Sequence, residues 1–210
     1  MTKISNDNLK ELSSSQQILQ ALQQARTQIE AAERQKMEPI AIIGMGCRFP
    51  KAKDPESFWQ LLRNGIDAIT EVPVERWDND SLYNPNPAIS GKLCTRWGGF
   101  LEQVDQFDPY FFGISPREAE QMDPQQRLLL EVTWEALEHA RLEPTQLSGS
   151  KTGVFIGISS SDYYQLLLSD SYHLGAHTTT GNSCSIAANR LSYFLDLRGP
   201  SLSVDTACSS

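Results

Sequence analysis

The sequence has no stretch that is long and apolar enough to cross a bilayer. Its longest apolar run covers residues 39–46, whereas a membrane-spanning helix needs about 20 apolar residues. The polar, glutamine-rich N-terminus has no basic region that leads into an apolar stretch, so we expect no secretory signal. These absences predict a cytoplasmic protein that makes no membrane contact.

Positive charge is also scarce in this sequence. It has 18 Lys and Arg residues against 26 Asp and Glu residues, which gives a net charge of −8 and a pI near 4.9. Nucleic-acid-binding proteins usually carry a basic patch, and none is visible here, so we expect no nucleic-acid partner. The ordinary content of apolar residues, Gly and Pro argues against low-complexity repeats. The chain length predicts either one full globular domain or one domain with an appendage.

No pair of cysteines has the spacing of a metal site. The four cysteines are far apart, and no histidine stands beside them at a ligand spacing, which argues against zinc. Two disulfides would require an oxidising compartment, so without a secretory signal we expect free thiols. One of these thiols is a candidate nucleophile; the four are Cys47, Cys94, Cys184 and Cys208.

Residues 1–37 are predicted to form a helical appendage. A stretch without Gly or Pro runs over residues 16–36, with Ser15 as the expected N-cap and Pro39 beyond the helix end. Two interpretations remain: a terminal helix that packs on its own domain, or a helix that dimerises or docks a partner. The glutamine-rich outer face favours the second. The apolar residues follow the four- and three-residue steps of a coiled-coil seam: Ile18, Leu22, Ala25, Ile29 and Ala32.

From Pro39 onward, predicted strands alternate with predicted helices, which indicates a layered α/β domain. Asp54-Pro55 and Asp123-Pro124 are typical pairs of N-cap and first helical residue. Residues 66–115 are expected to be mostly loop. The predicted strands are 39–44, 152–159 and 201–205, and the predicted helices are 55–64, 123–140, 162–168 and 183–195. In helix 123–140 we expect one apolar face, made of Leu129, Val132, Ala136 and Ala140.

Two glycine motifs are poor candidates for a binding or catalytic site. Gly44-Met45-Gly46 follows a predicted strand, but a dinucleotide fingerprint needs a third Gly or Ala where Phe49 stands. We therefore expect a tight turn that leaves a core strand. Residues 157–161 resemble a nucleophile elbow, but the last position is Ser161 instead of Gly, which favours a polar loop after a strand.

The three histidines show no catalytic pattern. His173 and His177 stand in a polar stretch with no carboxylate at a useful sequence spacing, so we expect surface loop residues. His139 is expected to be a structural residue of its helix. A cysteine hydrolase needs a histidine base, and this sequence does not offer one.

The last segment, GPSLSVDTACSS at residues 199–210, is a predicted strand that enters a turn of small residues. Cys208 stands where a following helix would begin. The N-terminus of a helix carries partial positive charge and unpaired N–H groups, which stabilise a thiolate. The same N–H groups can hold the oxyanion of an acyl carbonyl. Cys208 is therefore the best candidate nucleophile on local chemistry alone.

The same segment resembles the active-site signature of β-ketoacyl synthases. Gly199, Val204 and the run ACSS around Cys208 carry this resemblance. From about residue 38 to residue 210, the sequence is similar to the first part of ketosynthase domains in modular polyketide synthases. The other segments that resemble this family, in the expected order, are residues 38–50, 58–62 with Gly65, 72–73, 76–78, 107–119, 122–131 and 185–190.

The resemblance implies a thiolase-like fold made of two similar halves in alternating α/β/α/β/α layers, usually as a homodimer. Residues 38–210 are then the N-terminal half of a ketosynthase domain, preceded by a docking helix in residues 1–37. Two histidines of the family's catalytic triad stand downstream of the cysteine, so we expect them beyond residue 210. None of this chain's three histidines matches their motifs. We accordingly expect residues 1–210 alone to be inactive and poorly folded.

The resemblance also implies a reaction for the complete domain. Cys208 accepts an acyl chain as a thioester from an acyl carrier protein, and a malonyl-type extender then condenses with it after loss of CO₂. The substrates travel on the phosphopantetheine of carrier proteins, and no cofactor or metal is expected in this segment. In a related loading variant, Gln replaces the cysteine and the domain only decarboxylates. The alternative function is a docking module in residues 1–37 that recognises an upstream synthase subunit.

Overall fold

The computed structural model describes residues 14–36, 39–169 and 175–210. The chain divides into two compact units, Met1–Ile42 and Ile43–Ser210. In the first unit, α1 extends over Ser14–Lys36. Ser15 lies inside this helix, so the prediction that it is the N-cap is wrong, because the helix reaches at least one residue further toward the N-terminus. Nothing in the described parts of the chain is a helix with the length and apolar character to span a membrane.

The apolar seam of α1 is open to solvent. Ile18, Leu22 and Ile29 are each more than half exposed. On the helix surface, Arg26 Nε donates to Glu30 Oε1 at 2.8 Å, which is a pair with i,i+4 spacing. Such exposed pairs contribute only about 0.3–0.5 kcal/mol. Within its own unit, the helix therefore leaves the predicted seam without a covering surface.

The predicted strand at residues 39–44 is not formed. Residues 39–48 have no regular secondary structure, and the side chains of Ile40 and Ile42 are 95% and 82% exposed. A strand needs a neighbour for its backbone N–H and C=O groups. Among the described strands, none pairs with this segment. The apolar run alone was therefore a misleading signal.

The second unit is a mixed α/β structure. Its long middle segment is mostly loop, as predicted, with two very short antiparallel strands. The helices of this unit are α2 (Pro55–Arg63), α3 (Asn79–Leu82), α4 (Pro116–Gln121), α5 (Pro124–His139), α6 (Asp162–Ser169), α7 (Thr178–Asn182) and α8 (Cys184–Phe194), with 3₁₀ turns at Pro144–Leu147 and Ala207–Ser209. The strands are β1 (Thr70–Glu71), β2 (Trp97–Gly98), β3 (Val154–Gly157) and β4 (Ser201–Val204).

Helix α2 begins and ends as its sequence predicts. Asp54 Oδ1 accepts a hydrogen bond from the backbone N–H of Ser57 at 2.7 Å, and Ser57 Oγ accepts from the backbone N–H of Asp54. These bonds from Ser57 lower the pKa of the Asp54 carboxyl. Gly65 follows the C-cap with a φ of 62°, a backbone conformation that favours glycine.

Strands β3 and β4 form a parallel pair, which confirms the layered α/β prediction. Val154 is paired with Ser201 and Gly157 with Val204, so both strands end at the same edge. One face of the pair contributes Val154 and Ile156 to the core. The other face exposes apolar side chains, namely Phe155, Leu202 and Val204.

Helix α5 is the main support of the core. Met122, just before it, is fully buried, and Leu130 is only 2% exposed. The face predicted from Leu129, Val132, Ala136 and Ala140 is only half-buried. These four residues are all partly buried, as one face of the helix, while Leu130 packs beside them with Ala119 of α4 and Leu191 of α8. The core cluster consists of Phe112, Ile114, Ala119, Met122, Leu130 and Leu191.

The predicted face of α5 has a different partner, the segment with Gly44 and Gly46. A Cβ added at Gly44 would overlap the carbonyl oxygen of Ala136, and one added at Gly46 would lie 2.5 Å from the carbonyl oxygen of Val132. Neither glycine has a positive φ. Residues 44–46 form no turn, so the expected tight turn is wrong, and these glycines instead allow the backbone to approach the helix closely.

We expect Gly44→Ala to destabilise the protein by about 1–3 kcal/mol, which is typical of overpacking. The new methyl group would collide with backbone of α5, which cannot rotate away. The measurement is thermal unfolding, with Met45→Ala as the control because the Met45 side chain is half exposed. Equal unfolding midpoints for both variants would contradict this packing argument.

Candidate active site

Cys208 lies directly beyond the carboxyl end of β4. The strand ends at Val204, and a 3₁₀ turn follows at Ala207–Ser209. The Cys208 residue is exposed. Since β3 and β4 are parallel, the loop that follows Gly157 begins at the same edge of the sheet. The fold thus presents this thiol to solvent at a strand end, where loops bring polar groups together.

Several hydrogen bonds hold the turn around Cys208. Ala207 has a φ of 54°, in the left-handed region, which costs a residue with a Cβ about 1–2 kcal/mol. Its backbone N–H donates to Asp205 Oδ1 at 3.0 Å. Ser210 Oγ accepts from the N–H of Thr206 at 2.6 Å and donates to the carbonyl oxygen of Ala207 at 2.9 Å. These contacts offset the unfavourable backbone conformation beside the thiol.

The backbone N–H of Cys208 remains available. Within the described residues, it donates no hydrogen bond to another protein group. An exposed thiol next to an uncommitted N–H group has the chemistry of a nucleophile with one oxyanion donor. In the structure, the segment after Thr206 forms only a 3₁₀ turn, where the sequence predicts the beginning of a helix.

A second group of residues, which no sequence pattern indicates, makes contacts with the loop that follows β3. Gln125, in the first turn of α5, donates through Nε2 to the carbonyl oxygen of Ser160 at 3.2 Å. Cys184 Sγ, at the start of α8, lies 3.8 Å from the same oxygen. The loop at residues 157–161 is a polar loop after a strand, as predicted. Through Ser160 it contacts the first turns of both α5 and α8.

The remaining cysteines are poorer nucleophile candidates. All four thiols are free in the structure, as predicted. Burial, followed by the nearby Asp54 carboxylate, raises the pKa of the Cys47 thiol and so disfavours its thiolate. Cys94 is exposed in the loop before β2. Cys184 is half-buried at the start of α8.

The histidines have other contacts. His139 Nδ1 accepts from the backbone N–H of Met45 at 3.1 Å, which agrees with a structural role. It stands at the opposite end of α5 from Gln125, about 21 Å away at 1.5 Å per residue. His177 Nδ1 lies 3.9 Å from Glu118 Oε2, a carboxylate that is distant in sequence. His173 lies outside the described residues.

A network of polar side chains connects the helices behind the site. Arg190 Nη1 donates to Glu118 Oε1 at 2.8 Å, and Arg190 Nε donates to Gln126 Oε1 at 3.0 Å. Gln126 Nε2 in turn donates to the carbonyl oxygen of Ser183 at 3.2 Å. The network joins α4, α5 and α8, and no short sequence motif predicts it because its partners are up to 72 residues apart.

A cavity of about 790 Å³ lies away from Cys208, between residues 48–57, residues 101–109 and α5. Burial raises the pKa of the Glu131 carboxyl in its wall, while the nearby Arg48 opposes this shift. No residue of the Cys208 turn lines the cavity. Across the ranges that the structure describes, no group of three acidic, cysteine or histidine residues could hold a metal ion.

The sequence matches the family described as "Beta-ketoacyl synthase, N-terminal domain" over residues 37–210. One of the phenolphthiocerol/phthiocerol polyketide synthase proteins of Mycobacterium tuberculosis is 54% identical over 174 residues, which cover 82% of this chain and 10% of that protein. The spectinabilin polyketide synthase system protein NorC of Streptomyces orinoci is 55% identical over 175 residues, 82% of this chain and 8% of its own. The chain thus spans about a tenth of these relatives' length.

Solved structures agree with the sequence relatives. An oxazolomycin ketosynthase domain of Streptomyces albus has a TM-score of 0.73 and 43% identity over 80% of this chain and 29% of that one. A ketosynthase from module 6 of the bacillaene synthase of Bacillus subtilis has a TM-score of 0.71 and 40% identity, covering 81% of this chain and 27% of its own. The fold is therefore thiolase-like, and the chain belongs to the β-ketoacyl synthase family.

Proposed function

We propose that residues 38–210 are the N-terminal half of a ketosynthase domain that extends a polyketide chain by decarboxylative Claisen condensation. The observation that carries this proposal is the exposed Cys208 beyond β4, inside a segment that matches the family. Its thiol is accessible to a substrate delivered from solvent. Relatives named as polyketide synthases support chain extension as the reaction.

In the first step, the Cys208 thiolate attacks the thioester carbonyl of an acyl chain held on phosphopantetheine. A C–S bond forms to Cys208, and the C–S bond to the carrier breaks. The carrier leaves as a thiol that takes up the proton lost by Cys208, which is covalent catalysis. The N–H of Cys208, which has no partner among the residues that the structure describes, is suited to hold the oxyanion of this step.

In the second step, a malonyl-type extender on a carrier protein loses CO₂. The resulting carbanion attacks the acyl-Cys208 carbonyl, a C–C bond forms, and the Cys208 thiolate departs. In the family, two histidines downstream of the cysteine stabilise the enolate. The contacts of His139 and His177 within the described residues involve Met45, Glu118 and Gln121. We therefore assign neither of them this role.

The partners follow from this chemistry. Acyl carrier protein domains deliver both substrates on phosphopantetheine, so this segment binds no cofactor of its own. By the family resemblance, the complete domain acts as a homodimer. An apolar, partly uncovered sheet face is compatible with further packing in the assembled protein, since Phe155 and Leu202 are more than half exposed.

The reaction is tested by incubating the ketosynthase that contains this sequence with an acyl thioester and a malonyl-loaded carrier protein. We expect mass spectrometry to detect an acyl adduct on the Cys208 peptide, followed by a β-ketoacyl chain on the carrier. Release of the free acid without any adduct or new C–C bond would instead indicate a hydrolase and would contradict the proposal.

We propose docking as a second function, located in residues 1–37. Helix α1 exposes an apolar seam, and the family match begins at residue 37, just after this helix. A helix of this kind can lay its apolar stripe against helices of another chain. The partner that we propose is the C-terminal part of an upstream synthase subunit.

Deletion of residues 1–36 is expected to abolish chain transfer from the upstream subunit while self-acylation from a small-molecule thioester persists. The physical reason is that the exposed seam, and not the catalytic unit, makes the contact. Leu22→Asp is a milder variant in the seam, and Gln23→Glu serves as its control on a neighbouring position of α1. Unchanged transfer by the deletion variant would refute docking.

A further inference from the structure

The residue before Cys208 has a backbone conformation that its side chain disfavours. Ala207 has a φ of 54°, and residues with a Cβ rarely adopt the left-handed region. Such conformations persist only where surrounding contacts hold them, and they are concentrated at functional sites. Since Ala207 sets the direction in which the chain enters Cys208, whatever holds Ala207 also sets the position of the thiol.

Asp205 is the side chain that holds Ala207 from the strand side. Its Oδ1 accepts the backbone N–H of Ala207 at 3.0 Å, two residues along the chain, in the pattern of an Asx turn. The Asp205 residue is exposed. Among the described residues, its carboxylate takes part in no ion pair. Ser210 closes the turn from the other side through its contacts with Thr206 and Ala207.

We propose that Asp205 is a positioning residue for acyl transfer, because its side-chain oxygen keeps Ala207 left-handed and thereby orients the Cys208 sulfur toward the incoming carbonyl. This inference rests on the proposed role of Cys208 as the nucleophile. The relevant property of Asp205 is the acceptor oxygen and not the negative charge. Asparagine, which has the same oxygen at the same distance from the backbone, can therefore replace it.

Acylation by a thioester and alkylation by iodoacetamide, two reactions of the Cys208 thiol, should respond differently to the loss of the Asp205 contact. Attack on a thioester requires the sulfur and the backbone N–H of Cys208 to face one carbonyl group, and small misplacements of this kind cost up to about 10²-fold in rate. Alkylation by iodoacetamide needs no oxyanion donor, so the exposed thiol reacts in either orientation. Loss of the Asp205 contact should slow the first reaction and spare the second.

Three variants of the ketosynthase that contains this sequence test the idea. Asp205→Ala is expected to lower kcat/KM for acylation of Cys208 by about 10- to 100-fold, with the iodoacetamide rate and the unfolding midpoint nearly unchanged. Asp205→Asn is expected to retain most of the acylation rate. The double variant Asp205→Ala with Ala207→Gly should recover it, because glycine adopts a positive φ without a side-chain penalty.

The outcomes distinguish this proposal from the one on which it rests. If Asp205→Asn is as slow as Asp205→Ala, or if Ala207→Gly brings no recovery, the positioning role is overturned while Cys208 remains the nucleophile. If Cys208→Ala accepts the acyl chain as fast as the unaltered enzyme, the proposed function itself fails, whatever Asp205 does. A parallel loss of acylation and alkylation in Asp205→Ala would also overturn the positioning role.

Discussion

Replacement of Cys208 with alanine is expected to reduce acyl loading of the ketosynthase at least about 10³-fold, a loss typical of removing a covalent nucleophile. The thiol is exposed beyond β4, beside a backbone N–H that has no partner among the described residues. The hydroxyls of Ser209 and Ser210 in the same turn are much weaker nucleophiles than a thiol at neutral pH. Loading is measured with a labelled acyl thioester and by mass spectrometry of the peptide that contains residue 208.

The matched control is Cys94→Ala, which removes another exposed thiol from a surface loop. This variant should load acyl chains at the rate of the unaltered enzyme. Equal labelling of the Cys208→Ala variant would show that another residue carries the chain. Cys208→Gln adds a second readout, because by the family resemblance it should still decarboxylate malonyl-carrier protein while chain extension is lost.

The second large effect is expected from Gly157→Ala at the end of β3. A Cβ at this position would overlap the carbonyl carbon of Ser210 and lie 3.0 Å from its oxygen. Because both atoms belong to the backbone, the turn that contains Cys208 has to shift. We expect a loss of up to about 10²-fold in the acylation rate and a destabilisation of about 1–3 kcal/mol, measured by acylation kinetics and thermal unfolding.

Ser159→Ala is the control for this variant, since Ser159 is exposed two residues further along the same loop. It should leave both the acylation rate and the unfolding midpoint close to those of the unaltered enzyme. A Gly157→Ala variant with unchanged acylation would mean that the strand end and the cysteine turn move independently. That result would contradict the close approach of Gly157 and Ser210.

Structure that depends on contacts between near neighbours in sequence was predictable. Asp54 and Asp123 cap their helices through hydrogen bonds to residues two or three positions further along the chain. An aspartate at these positions therefore predicts where each helix begins. Helix α4 has the same kind of signal, since Ser115 caps it and Pro116 follows, although it is absent from the helices predicted above. The prediction of a strand before Cys208 was also confirmed, because small and apolar residues alternate there and are followed by a turn of small residues.

Structure that depends on distant partners was not predictable from the sequence pattern. The apolar run at residues 39–44 looks like a buried strand, yet no described strand pairs with it. The ion pair of Arg190 with Glu118 joins residues 72 positions apart, and the approach of Gly157 to Ser210 joins residues 53 positions apart. Neither contact can be recognised from the neighbouring sequence, which shows only a charged residue in the first case and a glycine in the second. The family resemblance points to Cys208 as the candidate nucleophile, but it does not indicate the residues that hold the turn around it.

The absence of side chains at Gly44 and Gly46 has a consequence for building hybrid synthases. Both positions lie against the backbone of α5 at Val132 and Ala136. A hybrid protein should therefore take the glycine segment and α5 from the same parent. A splice point between these glycines and α5 would combine the glycine segment of one parent with the helix of another. A single extra methyl group on either glycine would then collide with the helix backbone. Fusion junctions for exchanging N-terminal segments therefore belong upstream of Ile43.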